Sequence, residues 1–228
     1  MLIALSGISA PYSASARLEV HMLKRLLLIC LICIPVAVWG LYKQARVLAP
    51  EWNGVSCVSD VICMENAARH PEAAALYEEA YASVNASLGA IENKPRAIFC
   101  GSQACFEAFG FDKAAAHTVG GSGIVIGPRG WKDYYLRHEM IHHLQAERLG
   151  VFRQWLSPDW FKEGMAYALS RDPRPKLSAP WGRYRAQFEK WYRFVGKERL
   201  WEEARKLYPQ GQVATSPYHR FDYEYAVR

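Results

Sequence analysis

The sequence predicts an α+β fold: a small sheet with helices, followed by a helical carboxyl-terminal part. The helices are indicated by apolar residues that recur at three- and four-residue steps in residues 71–88, 133–149 and 180–195. The sheet is indicated by two short apolar runs bounded by turn residues, at 96–100 and 124–127. The composition of the 228-residue chain, 51% apolar and 22% charged, is that of a globular protein with one domain and additional segments.

The amino-terminal part carries an almost purely apolar run from Leu26 to Tyr42, directly after Lys24 and Arg25. Residues 26–42 are therefore predicted to form a transmembrane or signal-anchor helix. The end of the run lacks a small-x-small cleavage site, which favours an uncleaved anchor over a cleaved signal peptide.

The basic residues ahead of the run predict that residues 1–25 are cytoplasmic. Translation is expected to start at Met22, which opens like a normal export signal, so that 1–21 would not be translated. A linker is predicted at 43–59 and the folded domain at 60–228. The expected location is the inner (cytoplasmic) membrane, single-pass, with the domain on the periplasmic or extracytoplasmic side; secretion after signal cleavage is the alternative.

Four cysteines outside the apolar run form two close pairs, Cys57 with Cys63 and Cys100 with Cys105. An even number of cysteines in short-range pairs suits two disulfides in an oxidising compartment. Three connectivities are formally open, and a four-cysteine zinc site is the competing interpretation, although its spacings are looser than C-x-x-C.

The residues with the clearest chemistry are His138, Glu139 and His142, an H-E-x-x-H pattern inside the helix predicted at 133–149. Residues four apart project from one face of a helix, so the two imidazoles can bind a single metal ion. Glu139 then lies beside the ion, where a carboxylate can act as a general base towards a metal-bound water. His143 is the next position around the helix and should turn away from the metal, as a residue at the surface or behind the ligands.

A third ligand is predicted on the following helix. Pro158 and Asp159 suit the first turn of a helix, which begins after a short loop. Two helices joined this way tend to lie antiparallel, which would bring Glu163 to the same metal. The result is a His2Glu site with one open position, which is the arrangement of catalytic zinc sites.

These residues resemble the gluzincin metallopeptidases, and the aminopeptidase-like branch more closely than the thermolysin branch. The second motif of the aminopeptidase-like branch reads roughly W-x-x-E-G-x-A, and four residues stand in its places: Trp160, Glu163, Gly164 and Ala166. The thermolysin branch has an acidic residue four positions after the glutamate, where this chain has Tyr167. The resemblance covers about residues 95–170 and implies a zincin-like fold, one Zn²⁺ per chain and hydrolysis of peptide bonds.

The resemblance implies two further roles. In gluzincins an edge strand ahead of the motif helix pairs with extended substrate, and the candidate for it here comprises Ile124, Val125, Ile126 and Gly127. A tyrosine or histidine beyond the glutamate stabilises the oxyanion. Tyr218 ranks first for that role, and the other candidates are Tyr184, His219, Tyr223 and Tyr225. Tyr167 is interpreted equally well as a packing residue.

The expected partners are a peptide or protein substrate and the membrane. The glycine-rich turn at 120–123 matches neither nucleotide-binding signature. The basic residues are scattered, although the net charge is +6, so neither a nucleotide nor nucleic acid is expected. The alternative function is a catalytically inactive, membrane-anchored binding module with a zincin fold. Glu139, which is not a metal ligand, favours the enzyme.

Overall fold

The computed structural model describes residues 14–41 and 43–207, and gives only the backbone for 14–20 and 35–41. The chain divides into two units, Met1–Ala45 and Arg46–Arg228. Each unit is described by itself below.

The first unit is built around one helix, α1 (Ala14–Leu41). Its leucine and isoleucine side chains between Leu26 and Ile34 are 55–71% exposed. Within the described residues, no helix is long and apolar enough to span a membrane. Part of the predicted span lies outside the described residues, namely Tyr42 and the side chains of 35–41. The transmembrane helix therefore stays a prediction.

The second unit begins earlier than the predicted domain. It opens with Arg46, within helix α2 (Lys43–Leu48), and a short 3-10 helix, Pro50–Asn53, follows. Val47 and Val55 are buried in the core of this unit. Residues 46–59, predicted as a linker, therefore belong to the folded unit.

A five-stranded sheet forms one layer of the second unit. Its strands are β1 (Ser56–Cys57), β2 (Ile62–Met64), β3 (Ala97–Phe99), β4 (Ala116–Thr118) and β5 (Ile124–Ile126), in the order β1-β2-β3-β5-β4. Strands β2, β3 and β5 are parallel, and the two outer strands run antiparallel to their neighbours. Ile62, Ala97 and Ile124 are aligned in register at the end where the parallel strands begin.

The strand order corrects the prediction for residues 124–127. Strand β5 is not an edge strand, because it pairs with β3 on one side and β4 on the other. Ile124, Val125 and Ile126 are each 0% exposed, and a run buried on both faces is typical of an interior strand. Gly127 follows β5, and its N–H donates to the Ala115 carbonyl. The backbone of β5 therefore has no free side for a substrate, and the edge strand on this side of the sheet is β4.

The helices of the second unit include α3 (His70–Leu88), α4 (Gln103–Ala108) and α5 (Asp133–Leu149). They continue with α6 (Val151–Leu156), α7 (Asp159–Leu169), α8 (Trp181–Val195) and α9 (Leu200–Lys206). One face of the sheet shares a hydrophobic core with α3, α5, α7 and α8. The other face packs against α4 and the segment around Val47. The α+β class is thus confirmed.

Both local cysteine pairs lie at disulfide distance, with S–S separations of 1.97 Å for Cys57–Cys63 and 2.02 Å for Cys100–Cys105. Cys57 and Cys63 are cross-strand partners of β1 and β2. Cys100 follows β3, and Cys105 lies in α4, whose first turn is capped by the Ser102 hydroxyl. The local connectivity is the predicted one.

Candidate metal centre

Helix α5 carries the two histidines. It runs from Asp133, an acidic residue in its first turn, to Leu149, and Gly150 with a φ of 85° ends it. His138 and His142 lie one turn apart on the same face, so their rings meet edge to face with centroids 4.8 Å apart. Their Nε2 atoms are 3.1 Å apart.

Helix α7 brings the glutamate to the histidines. It begins at Asp159 after Pro158, and the short helix α6 connects it to α5. Glu163 Oε2 lies 3.6 Å from His138 Nε2, and Glu163 Oε1 lies 3.6 Å from His142 Nε2. One ligand atom from each of the three residues lies within 4.8 Å of the others. The predicted triad is therefore assembled, and the group can hold a metal ion.

The two imidazoles approach the spacing that a small tetrahedral ion requires. Zinc bonds of about 2.1 Å to nitrogen and oxygen place neighbouring ligand atoms about 3.4 Å apart. The two Nε2 atoms are 3.1 Å apart, and each faces a different oxygen of Glu163 at 3.6 Å. Two imidazoles and one carboxylate are a donor set that divalent transition metals accept in proteins.

The charges of the triad are strongly coupled. Burial alone would lower the pKa of His142, but the contacts with Glu163, together with Glu139 and Gln145, raise this pKa to about 9. Burial alone would raise the pKa of the Glu163 carboxyl, yet the two histidines hold it far below its usual range. Without metal, the site therefore holds an imidazolium against a carboxylate at neutral pH.

Two glutamines fix His142. The Nδ1 atom of His142 lies 3.0 Å from Gln145 Oε1, and Gln145 Nε2 donates to the Lys162 carbonyl at 3.0 Å. Gln154 of α6 donates to the His142 carbonyl at 2.7 Å. The contact with the Gln145 carbonyl oxygen favours a proton on Nδ1 and so leaves Nε2 as the atom that can bind metal. Neither glutamine is distinguished by the sequence motif.

Glu139 is buried on the same helix, one position after His138, and its charge helps to raise the pKa of His142. The Thr118 hydroxyl lies 2.8 Å from Glu139 Oε2 and 2.7 Å from the Glu139 carbonyl oxygen. Thr118 is the last residue of β4, so the edge strand holds the carboxylate that the sequence assigns as general base. Sequence reasoning missed Thr118 because nothing in the residue order shows which strand lies beside α5.

Tyr167 forms a wall of the centre. Its ring lies edge to face on His138, with centroids 4.5 Å apart. Burial, and then the neighbouring Glu163 carboxylate, raises the pKa of Tyr167 to about 12. The phenol therefore stays protonated at neutral pH and can donate a hydrogen bond. Its position four residues after Glu163 on one helix face is the signal that favours it over more distant tyrosines.

Arg174 lies beyond this wall. Its guanidinium is 5.3–5.8 Å from the ring centroids of Tyr134, Tyr135 and Tyr167. It also donates from Nε and Nη2 to the buried Asp172 carboxylate. Hydrogen bonds to Asp172, although opposed by burial, raise the pKa of Arg174. The region beside the metal ligands therefore keeps a fixed cation.

Other predicted residues lie elsewhere. His143 turns away from the triad, where its Nε2 contacts the Asn93 carbonyl at 2.8 Å. Tyr184 lies on α8 and packs against Trp181. Tyr218 lies outside the described residues, as do His219, Tyr223 and Tyr225.

Comparisons with known proteins give no family for the chain: no family model matches it, and neither a curated protein nor a solved structure does.

Proposed function

We propose that this protein is a zinc-dependent peptidase that hydrolyses peptide bonds, with Glu139 as the general base. One observation carries the proposal. His138, His142 and Glu163 form a group that can hold a metal ion, and the buried Glu139, which is not part of that group, is near enough for its charge to raise the pKa of His142. A purely structural metal site has no need of such a carboxylate.

The bound metal would polarise the scissile carbonyl and acidify the attacking water. Glu139 would remove a proton from that water as its oxygen bonds to the carbonyl carbon. The same carboxyl group would then give that proton to the nitrogen as the C–N bond breaks. The products are an amine and a carboxylic acid, and Glu139 returns to its carboxylate form. Thr118 would orient Glu139 throughout.

Two further groups suit the reaction. The Tyr167 phenol is a donor near the carboxylates of Glu163 and Glu139, which fits stabilisation of the negative charge that develops on the carbonyl oxygen. Among the described strands, the edge strand β4 pairs only with β5, and no strand lies along its other side. An extended peptide could therefore add to its other side, next to Thr118.

The proposed location is outside the cytoplasm, anchored in the inner membrane by residues 26–42. The two disulfides support an oxidising compartment. The secreted form after signal cleavage is separated from the anchored form by fractionating cells and probing membrane and soluble fractions.

A Glu139→Gln variant tests the function. The zinc-loaded parent is incubated with a library of fluorescence-quenched peptides, and zinc content is measured on the same samples. The variant should keep its zinc and lose about 10²- to 10⁴-fold in rate, because only the proton transfer is removed. Glu189→Gln, an exposed glutamate on α8, serves as the control and should retain full activity.

Two results would contradict the proposal. If the Glu139→Gln variant cleaves peptides at the parental rate, Glu139 is not the general base. A folded, zinc-loaded parent that cleaves no peptide would instead favour the inactive binding module.

A further inference from the structure

Several exposed large apolar side chains of the second unit belong to segments near one end of its sheet. The described residues of this unit expose Leu48, Trp52, Val58, Val151, Phe152, Trp155 and Phe194. Leu48, whose carbonyl accepts from Arg96 just before β3, Val58, and Val151, which lies beside Gly120 ahead of β5, are near the end where β2, β3 and β5 begin. Val58, for example, lies in the turn before β2 and donates its N–H to the Ile62 carbonyl.

The turn between β4 and β5 joins the two main groups of these side chains. A Cβ placed on Gly123 would lie 3.0 Å from Val47 Cγ1, and a Cβ placed on Gly120 would lie 3.6 Å from Val151 Cγ1. The segment after Val47 and helix α6 therefore flank the same turn. Together they expose four side chains, which we call the apolar surface: Leu48 (63%), Val151 (53%), Phe152 (66%) and Trp155 (70%).

The composition of the apolar surface indicates what covers it. Monomeric soluble proteins seldom leave a cluster of large apolar side chains in water. One of the four is a tryptophan, whose apolar ring and polar N–H group suit the boundary between hydrocarbon and water. Arg153 lies between Phe152 and Trp155 in α6, and a basic side chain among exposed apolar ones favours anionic headgroups.

The order of the chain points to the same partner. Val47, which is seated against the turn, follows the apolar run at 26–42 by a few residues. The most apolar stretch of the sequence therefore ends a few residues before Leu48, which is part of the apolar surface. A protein partner or a second copy of the chain would not need that continuity.

We propose that the apolar surface docks onto the surface of a lipid bilayer. The side chains insert at the headgroup boundary and seat the second unit on the membrane. The surface adjoins the candidate metal centre, because Thr118, which contacts Glu139, comes two residues before Gly120. Docking therefore places the open edge of β4 near the lipid.

A fluorescent label on the full chain tests the docking. Cys30 and Cys33 are the free cysteines, and both are replaced by serine. A nitrobenzoxadiazole label is then attached at Trp155→Cys, and in a separate sample at Phe194→Cys, which is the matched control because both side chains are 70% exposed. The proteins are reconstituted in vesicles of equimolar phosphatidylcholine and phosphatidylglycerol, without metal or substrate.

The emission of the label at 155 should shift to shorter wavelengths and be quenched by lipids brominated in the acyl chains. The label at 194 should keep the emission of a label in water. A Val151→Cys label repeats the test, and circular dichroism confirms that each variant is folded.

Two outcomes would overturn the proposal. One is a label at 155 that stays in water like that at 194 while the protein sediments with the vesicles. The other is shielding of position 155 that disappears as the protein is diluted with lipid, since that would show a second copy on the surface. Neither outcome bears on the metal site.

Discussion

Replacing Gly164 by alanine should destabilise the protein, although alanine favours helices. Gly164 lies in α7 directly after Glu163, and its backbone lies against α8. A Cβ at this position would be 2.3 Å from the Tyr184 carbonyl oxygen and 2.8 Å from Phe188 Cβ. Neither atom can move by changing a side-chain rotamer, so α7 and α8 must separate.

The size of the effect follows from that distance. A carbon atom needs about 3.4 Å from its neighbours, so the helices must separate by about 1 Å. Overpacking of this kind costs about 1–3 kcal/mol, and backbone contact places it at the upper end. The helix propensity of alanine offsets about 1 kcal/mol. The net loss of about 2 kcal/mol should lower the unfolding temperature by about 4–8 °C in a chain of this size.

Thermal unfolding of the metal-free protein, followed by circular dichroism with a chelator present, measures this loss. Gly182→Ala in α8 is the control, because the nearest atom to its Cβ would be the Leu177 carbonyl oxygen at 3.4 Å. The control should unfold at the parental temperature or slightly above. Equal unfolding temperatures for Gly164→Ala and the parent would refute the packing argument.

Three further predictions concern the centre and its scaffold. Zinc affinity, measured by calorimetry, should rise between pH 6 and pH 9. The pKa of His142 is raised to about 9, so zinc must displace the imidazolium proton of His142 when it binds below that pH. An affinity independent of pH would contradict this. Thr118→Val should slow peptide cleavage by roughly tenfold to a hundredfold, as expected for a lost hydrogen bond to the charged Glu139, while Thr118→Ser restores the rate and zinc content stays the same in both. Replacing Cys100 and Cys105 by alanine should reduce the free energy of unfolding in urea by roughly 2 kcal/mol, the entropy of closing a loop this short, and unchanged stability would show that the crosslink contributes nothing.

The ligands of the candidate site could be predicted because their geometry is local. His138 and His142 are four residues apart in a helix with clear ends, and that spacing alone brings their rings together. Glu163 follows on the next helix after a short connection. Its contact with both histidines could therefore be predicted from one assumption, that neighbouring helices pack antiparallel.

The edge strand could not be predicted because strand order is a property of the whole sheet. The run at 124–126 shows that a strand is buried, but residue order does not show that β4 pairs outside it. Thr118 could not be predicted for the same reason, because it contacts a helix residue, Glu139, that follows 21 positions later in the sequence. His143 was expected at the surface or behind the ligands; it is buried, turned away from the triad, and contacts the Asn93 carbonyl.

The central claim is that His138, His142 and Glu163 bind one metal ion. The most direct test is the zinc content of the purified full chain, measured by mass spectrometry beside Glu163→Ala and the control Glu189→Ala, an exposed glutamate on α8. We expect about one zinc per chain in the parent and the control, and far less in Glu163→Ala. A folded parent without zinc after supplementation, or equal zinc in all three proteins, would contradict the claim.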